Sequence, residues 1–312
     1  MMPPLTKFIV IIPLVLAFVS FILTTLALFA GHQKGFMEDY AVVRLNTSMI
    51  GQNILKNDKP KDTGKSDNNK SFLDDVRDKW HDVKDDAKGK IGDIAGDVIG
   101  DVADKLGVSE WYSVHIMNSC EGNYGRDATA DNFKLNVTNC TTSTPAYRFN
   151  LTEILDHEMS VGPFHINLAK IDWPDSIQDK LDNLNDSLLA LFVFYVLGVG
   201  FSGLTMLACI PTIILPEKKY LILLNLSFSS LGAFFIALGS IVVTAAGSIG
   251  TNALNKAGEK VSVVAEQGTK FYIISWIAAG FMTMVTLFWA AQFFLLNRKI
   301  KKQMAEESKE AY

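Results

Sequence analysis

Residues 188–215 read LLALFVFYVLGVGFSGLTMLACIPTIIL, a stretch without a single Asp, Glu, Lys, Arg or His. A helix that crosses the hydrocarbon core of a bilayer, roughly 30 Å thick, needs about 20 apolar residues, and this run exceeds that length. Three further runs share the property, at 8–30, 220–246 and 271–296. Charged residues make up 20% of the chain and all of them lie between or beyond these four runs. That partition excludes a single soluble globular domain. The formal net charge of −4, with no basic stripe, argues against a nucleic-acid partner.

The first run follows Lys7, as a signal peptide's apolar core would follow its basic end. It is longer than such a core, and Leu28 stands where a cleavage site after Ala30 wants a small residue, so it reads as a retained span. Four spans place both termini on one side. Outside the long connection that side carries Lys7, Lys218, Lys219, Arg298, Lys299, Lys301, Lys302 and Lys309, against Lys256, Lys260 and Lys270 on the other, which sets the termini in the cytosol. The expected order is a cytosolic N-terminus (1–7), a first span (8–30), a large extracellular loop (31–187) and a second span (188–215). A cytosolic turn (216–219), a third span (220–246), a smaller outer loop (247–270), a fourth span (271–296) and a cytosolic tail (297–312) follow.

Chemistry in the long loop agrees with an outer location. Asn-X-Ser/Thr sequons occur there at Asn46, Asn69, Asn136, Asn139 and Asn150, and at Asn185, which is too near the second span for modification. Asn225 has the same pattern inside the third span, where a hydrogen bond to a neighbouring helix is the expected role. Cys120 and Cys140 share the loop in an oxidising compartment and are expected to be bonded to each other. Cys209, near the cytosolic end of the second span, reads as a small buried apolar residue, with palmitoylation as the alternative.

Within the loop, 46–70 is polar and reads as a linker, and 111–170 is the part held by the cysteine bridge. Between them, Phe72, Val76, Trp80, Val83, Ala87 and the apolar residues on to Leu106 recur every three or four positions, predicting an amphipathic helix over 72–106. Its second half repeats Gly-Asp every four residues, a pattern that needs a partner to pack on or forms a tethered spacer. Residues 111–122, WYSVHIMNSCEG, alternate enough to form a strand leading into Cys120.

Tyr112, Ser113, His115 and Met117, followed by Cys120, Glu121 and Gly122, with a second Cys within about twenty residues and three later spans, resemble the fungal Sur-seven/PalI family of four-span plasma-membrane proteins. The resemblance implies a plasma-membrane protein of eisosomes and the cortical membrane compartment, or, in the PalI branch, an assistant to ambient-pH sensing. The family is also compared with claudins, but the claudin Gly-Leu-Trp ahead of the cysteine pair is absent here.

Three histidines of the loop, His115, His157 and His165, have neighbours such as Asp156 and Glu158, yet none is spaced as metal ligands are, and there is no phosphate loop or nucleophile elbow. A transport path usually needs charge or broken helices within the membrane, and the spans hold no charge. Gly198, Gly200, Gly203, Ser229, Gly232 and Gly239, with Ala278, Ala279 and Gly280, favour close helix packing. The expected molecule is an all-α membrane protein. It is a four-helix bundle with a large disulfide-stapled outer loop holding the amphipathic helix and a small β element. It is expected to act without catalysis or cofactor, with membrane lipid, copies of itself or other proteins of the same cortical domain as partners.

Overall fold

The computed structural model describes residues 5–48, 50, 108–125, 135–161, 174–215 and 218–310. The expected helix at 72–106, most of the linker, Asn69 and His165 lie outside the described residues. The chain divides into two compact units, a helical one (1–29, 189–244 and 269–312) and one built on a sheet (30–188 and 245–268).

Among the described residues, four helices that contribute to the helical unit are long and apolar enough to cross a membrane. They are α1 (Leu5–Phe29), α3 (Asp175–Ile214), α4 (Lys219–Ala245) and α6 (Thr269–Glu310). A side chain in lipid gains nothing from burial against another apolar one, so these helices associate through close backbone approach and hydrogen bonds. Both devices are present. Gly198 of α3 faces the Ile236 side chain of α4, and Gly239 of α4 lies under the Tyr195 ring of α3, so close that a Cβ at either glycine would overlap its neighbour. Tyr195 Oη lies 2.5 Å from Ser275 Oγ, which is 2.6 Å from Ser240 Oγ, tying α3, α6 and α4 at one point. Ser20 of α1 donates to the Ala278 carbonyl of α6 at 2.9 Å. Large apolar side chains such as Leu207, Phe234 and Leu287 remain exposed, as lipid-facing residues of a bundle would be.

Two helices outrun the apolar stretches that announce them. Helix α3 starts at Asp175 because Ile177, Leu181, Leu184 and Leu188 share one buried face ahead of the apolar run, with polar residues between. Helix α6 continues through the basic tail to Glu310.

Among the described residues, the sheet unit carries five antiparallel strands in the order β4-β3-β2-β1-β5. They are β1 (Val43–Asn46), β2 (Trp111–Val114), β3 (Ser119–Tyr124), β4 (Leu135–Cys140) and β5 (Val264–Gln267). The single strand expected over 111–122 is instead a hairpin. A turn closed by the His115 amide donating to the Asn118 carbonyl, 2.9 Å, sends the chain back on itself. All four residues of β2 are buried, so strict alternation was never available to mark its ends. Strand β5, from the connection between α4 and α6, pairs with β1, so both long connections contribute to one sheet. Short helix α5 (Thr251–Gly258) supports β5 through Asn255, whose side chain bonds both the amide and the carbonyl of Ala265. Helix α2 (Leu151–Val161) buries Leu151 and Leu155 completely, and Asn150 caps it by accepting from the Glu153 amide at 3.1 Å.

Candidate functional site

The motif residues converge in the sheet unit. Cys120 of β3 stands opposite Cys140 of β4 in register, and the two are disulfide-bonded. Beyond the bridge the Thr141 amide donates to the Ser119 carbonyl at 2.9 Å, and the Ser119 amide donates back to Thr141 Oγ1 at 3.0 Å. Gly122 follows a bulge at Glu121, and a Cβ there would collide with the Asn136 carbonyl and the Trp111 ring. Glycine at 122 is therefore what lets β4 approach β3 and close the bridge.

Beside the bridge, on the same face of β2, Ser113 donates to Glu38, and His115 Nε2 lies 3.3 Å from both Ser113 Oγ and Glu38 Oε1. All three side chains are buried. Asn118 donates to the Gly31 carbonyl at 2.6 Å, and Gly31 has φ +75 with no room for a Cβ beneath the His115 ring. Serine, histidine and glutamate invite comparison with a hydrolytic triad. In that device the acid orients one ring nitrogen while the serine uses the other, whereas here both approach Nε2 and all are enclosed. Glu38, His115 and Cys120 also bring donor atoms within 4.8 Å of one another. The Cys120 sulfur is committed to the disulfide, so it offers no thiolate and the set shrinks to two donors. What the cluster does is lock 30–40 onto β2.

The half-buried carboxyl of Glu158, on α2, has a different character. Tyr112 donates its hydroxyl to Glu158. Burial pushes the Glu158 carboxyl up to about 7, helped by the charge of nearby Glu121 and opposed by the Tyr112 hydroxyl. Tyr112 is itself pushed up, first by burial and then by the charge of Glu158. Motif residues Tyr112 and Glu121 thus meet an acid that the motif does not contain.

Other expected positions divide by exposure. Asn136 and Asn139 are exposed on β4, an edge strand. Asn46 is half-buried in β1 and its side chain accepts from the Ser48 amide and hydroxyl, and the Asn150 amide group donates to Glu153. Asn185 is buried and bonds both the amide and the carbonyl of Phe149. His157 is exposed on α2. Cys209 is enclosed in the helical unit, 3.3 Å from Asn225 Oδ1, which leaves no exposed sulfur for an acyl group. Asn225 of α4 donates to the Ala208 carbonyl at 3.0 Å and to Thr212 Oγ1 at 2.8 Å, the bond to a neighbouring helix that its place in an apolar run predicts.

Glu38, Asn118 and Glu158 were not legible as partners of the motif. Glu38 and Ser113 are 75 positions apart, Tyr112 and Glu158 46 apart, and neither pair sits at a spacing that sequence reasoning reads.

The model of the SUR7/PalI family matches residues 9–288, which takes in most of α1, the sheet and about half of α6. The chain belongs to the SUR7/PalI family. Among curated proteins it is similar to the SUR7 family protein pun1 of Schizosaccharomyces pombe, 29% identical over 171 residues, or 55% of each chain. The match therefore spans about half the length of that relative. No solved structure matches the chain. Membership and the four span-capable helices make this a multi-pass membrane protein. The motif that suggested a SUR7/PalI protein is, in three dimensions, the hairpin and bridge that hold the sheet together.

Proposed function

We propose that this SUR7/PalI protein organises a patch of the plasma membrane, acting without catalysis, with both termini in the cytosol and the sheet unit outside the cell. One observation carries the reading most of the way. The motif side chains Tyr112, Ser113, His115 and Cys120 are buried and spent on packing, hydrogen bonds and a disulfide, which is how a scaffold uses its distinctive residues. Apolar runs free of charge, packed through Gly198, Gly239 and small hydroxyls, suit lateral assembly in lipid rather than a polar path. Exposed Asn136 and Asn139 would carry glycans that blunt the β4 edge against unwanted strand pairing. Fluorescent tagging at the C-terminus of the native chain tests this directly. Stable cortical patches and a detergent-resistant oligomer are expected, and a uniformly diffuse monomer would overturn the proposal.

A second reading, an accessory subunit of an ambient-pH receptor as in the PalI branch, draws support from Glu158, whose carboxyl titrates near neutrality against Tyr112 and Glu121. Deletion followed by growth at alkaline pH separates the two, since an unaffected alkaline response excludes the sensor role.

A further inference from the structure

Helix α6 leaves the apolar run at Leu296, and its charge begins at Arg298. At 1.5 Å per residue the remainder of the helix extends roughly 20 Å beyond that border. Straddling the border, between the start of α4 and α6, is a groove of about 370 Å³. One wall is Ile222 of α4, a buried residue. The other is a single stripe of α6, with Gln292, Leu295 and Leu296 on the membrane side of the border and Lys299, Ile300 and Gln303 beyond it. Lys302 follows Lys299 by three positions, next to it on the helix surface. From α4, Lys219 Nζ lies 5.8 Å from the ring of Phe293, the residue after Gln292. Glu306 and Glu307 stand about a turn beyond Gln303 and are exposed.

Reading outward along the groove, apolar walls give way to a cation and an amide donor, the same order in which a phospholipid presents its acyl chain and phosphate. We propose that the groove seats an anionic glycerophospholipid, its chain against Leu295 and Leu296 and its phosphate at Lys299 and Gln303. A zwitterionic lipid would meet this cluster of lysines without net charge to match it. A helix from a second copy would need an unbroken apolar stripe, and beyond the border only Ile300 continues it, flanked by Lys299 and Gln303. The inference depends on the four spans and not on the organiser role.

Full-length protein in nanodiscs of phosphatidylcholine with graded phosphatidylserine, analysed by native mass spectrometry, gives the test. Lys299→Gln should reduce retained phosphatidylserine about fivefold, and Lys301→Gln, about 200° further round the helix, less than twofold. Leu295→Trp fills the groove at a side chain already 59% exposed, so the fold tolerates it while the lipid is displaced. Unchanged thermal unfolding of the helical unit in mild detergent certifies each variant's fold. Four results overturn the proposal. Equal losses from Lys299→Gln and Lys301→Gln mean diffuse attraction, and equal retention of phosphatidylcholine removes the charge requirement. Displacement of lipid by millimolar inorganic phosphate reveals a soluble-anion site, and a dimer mass lost in Leu295→Trp reveals a protein occupant.

Discussion

Changing Glu158 to Gln should flatten the dependence of sheet-unit stability on pH. Burial, with the charge of Glu121 adding to it, raises the carboxyl from an ordinary 4.5 to about 7. Between those values the folded state holds a proton that the unfolded chain has already released. Stability from this group is therefore complete below 4.5, falls as pH rises through 7, and is level above it. Unscreened, a shift of that size corresponds to about 3 kcal/mol, and solvent reaching a half-buried side chain reduces this to about 1–2 kcal/mol. The groups facing the carboxyl are Tyr112 and Glu121 of the neighbouring strands and the backbone of Ser109, all retained in the variant. Gln can accept from Tyr112 and donate to Glu121, imitating the protonated acid at every pH. Hydrogen exchange of the full chain at pH 5 and pH 8, corrected for intrinsic exchange, reads the effect in α2 and β2. The native protein should lose roughly 5- to 30-fold in protection factor there as pH rises, by the usual conversion of 1–2 kcal/mol. Glu158→Gln should lose almost none and be the more protected form at pH 8. An equal loss in both proteins, or none in the native one, would refute the assignment.

Asn225→Ala removes two hydrogen bonds from α4 to α3 and should lower bundle stability by about 1–3 kcal/mol, measurable by thermal unfolding in mild detergent. Gly122→Ala drives a methyl into the Asn136 carbonyl and the Trp111 ring, and an overpacking cost of about 3 kcal/mol should appear as slower bridge formation and faster proteolysis of 108–161. Replacing Cys120 and Cys140 together by Ser should destabilise the sheet unit by about 3 kcal/mol, with the helical unit's own melting unchanged. Asn136→Gln with Asn139→Gln should speed electrophoretic migration by two glycans' worth of mass, and Asn185→Gln should leave migration unchanged because that side chain is buried against Phe149.

The spans were legible because lipid tolerates almost no charge, so four uncharged runs announce four helices without reference to anything else in the chain. The bridge was legible too, from two cysteines in one loop, and so was Asn225, an isolated polar side chain in a run where it must find a partner. Tertiary structure alone decided the sheet. Pairing β5 with β1, across a separation that includes the two long helices α3 and α4, follows from strand register and leaves no periodic mark on four residues. It also decided what the motif is for. Glu38 reaches Ser113 and His115, and Glu158 reaches Tyr112, only after packing has brought together segments far apart in the chain, and the burial that raises the proton affinity of Glu158 arises in that same step.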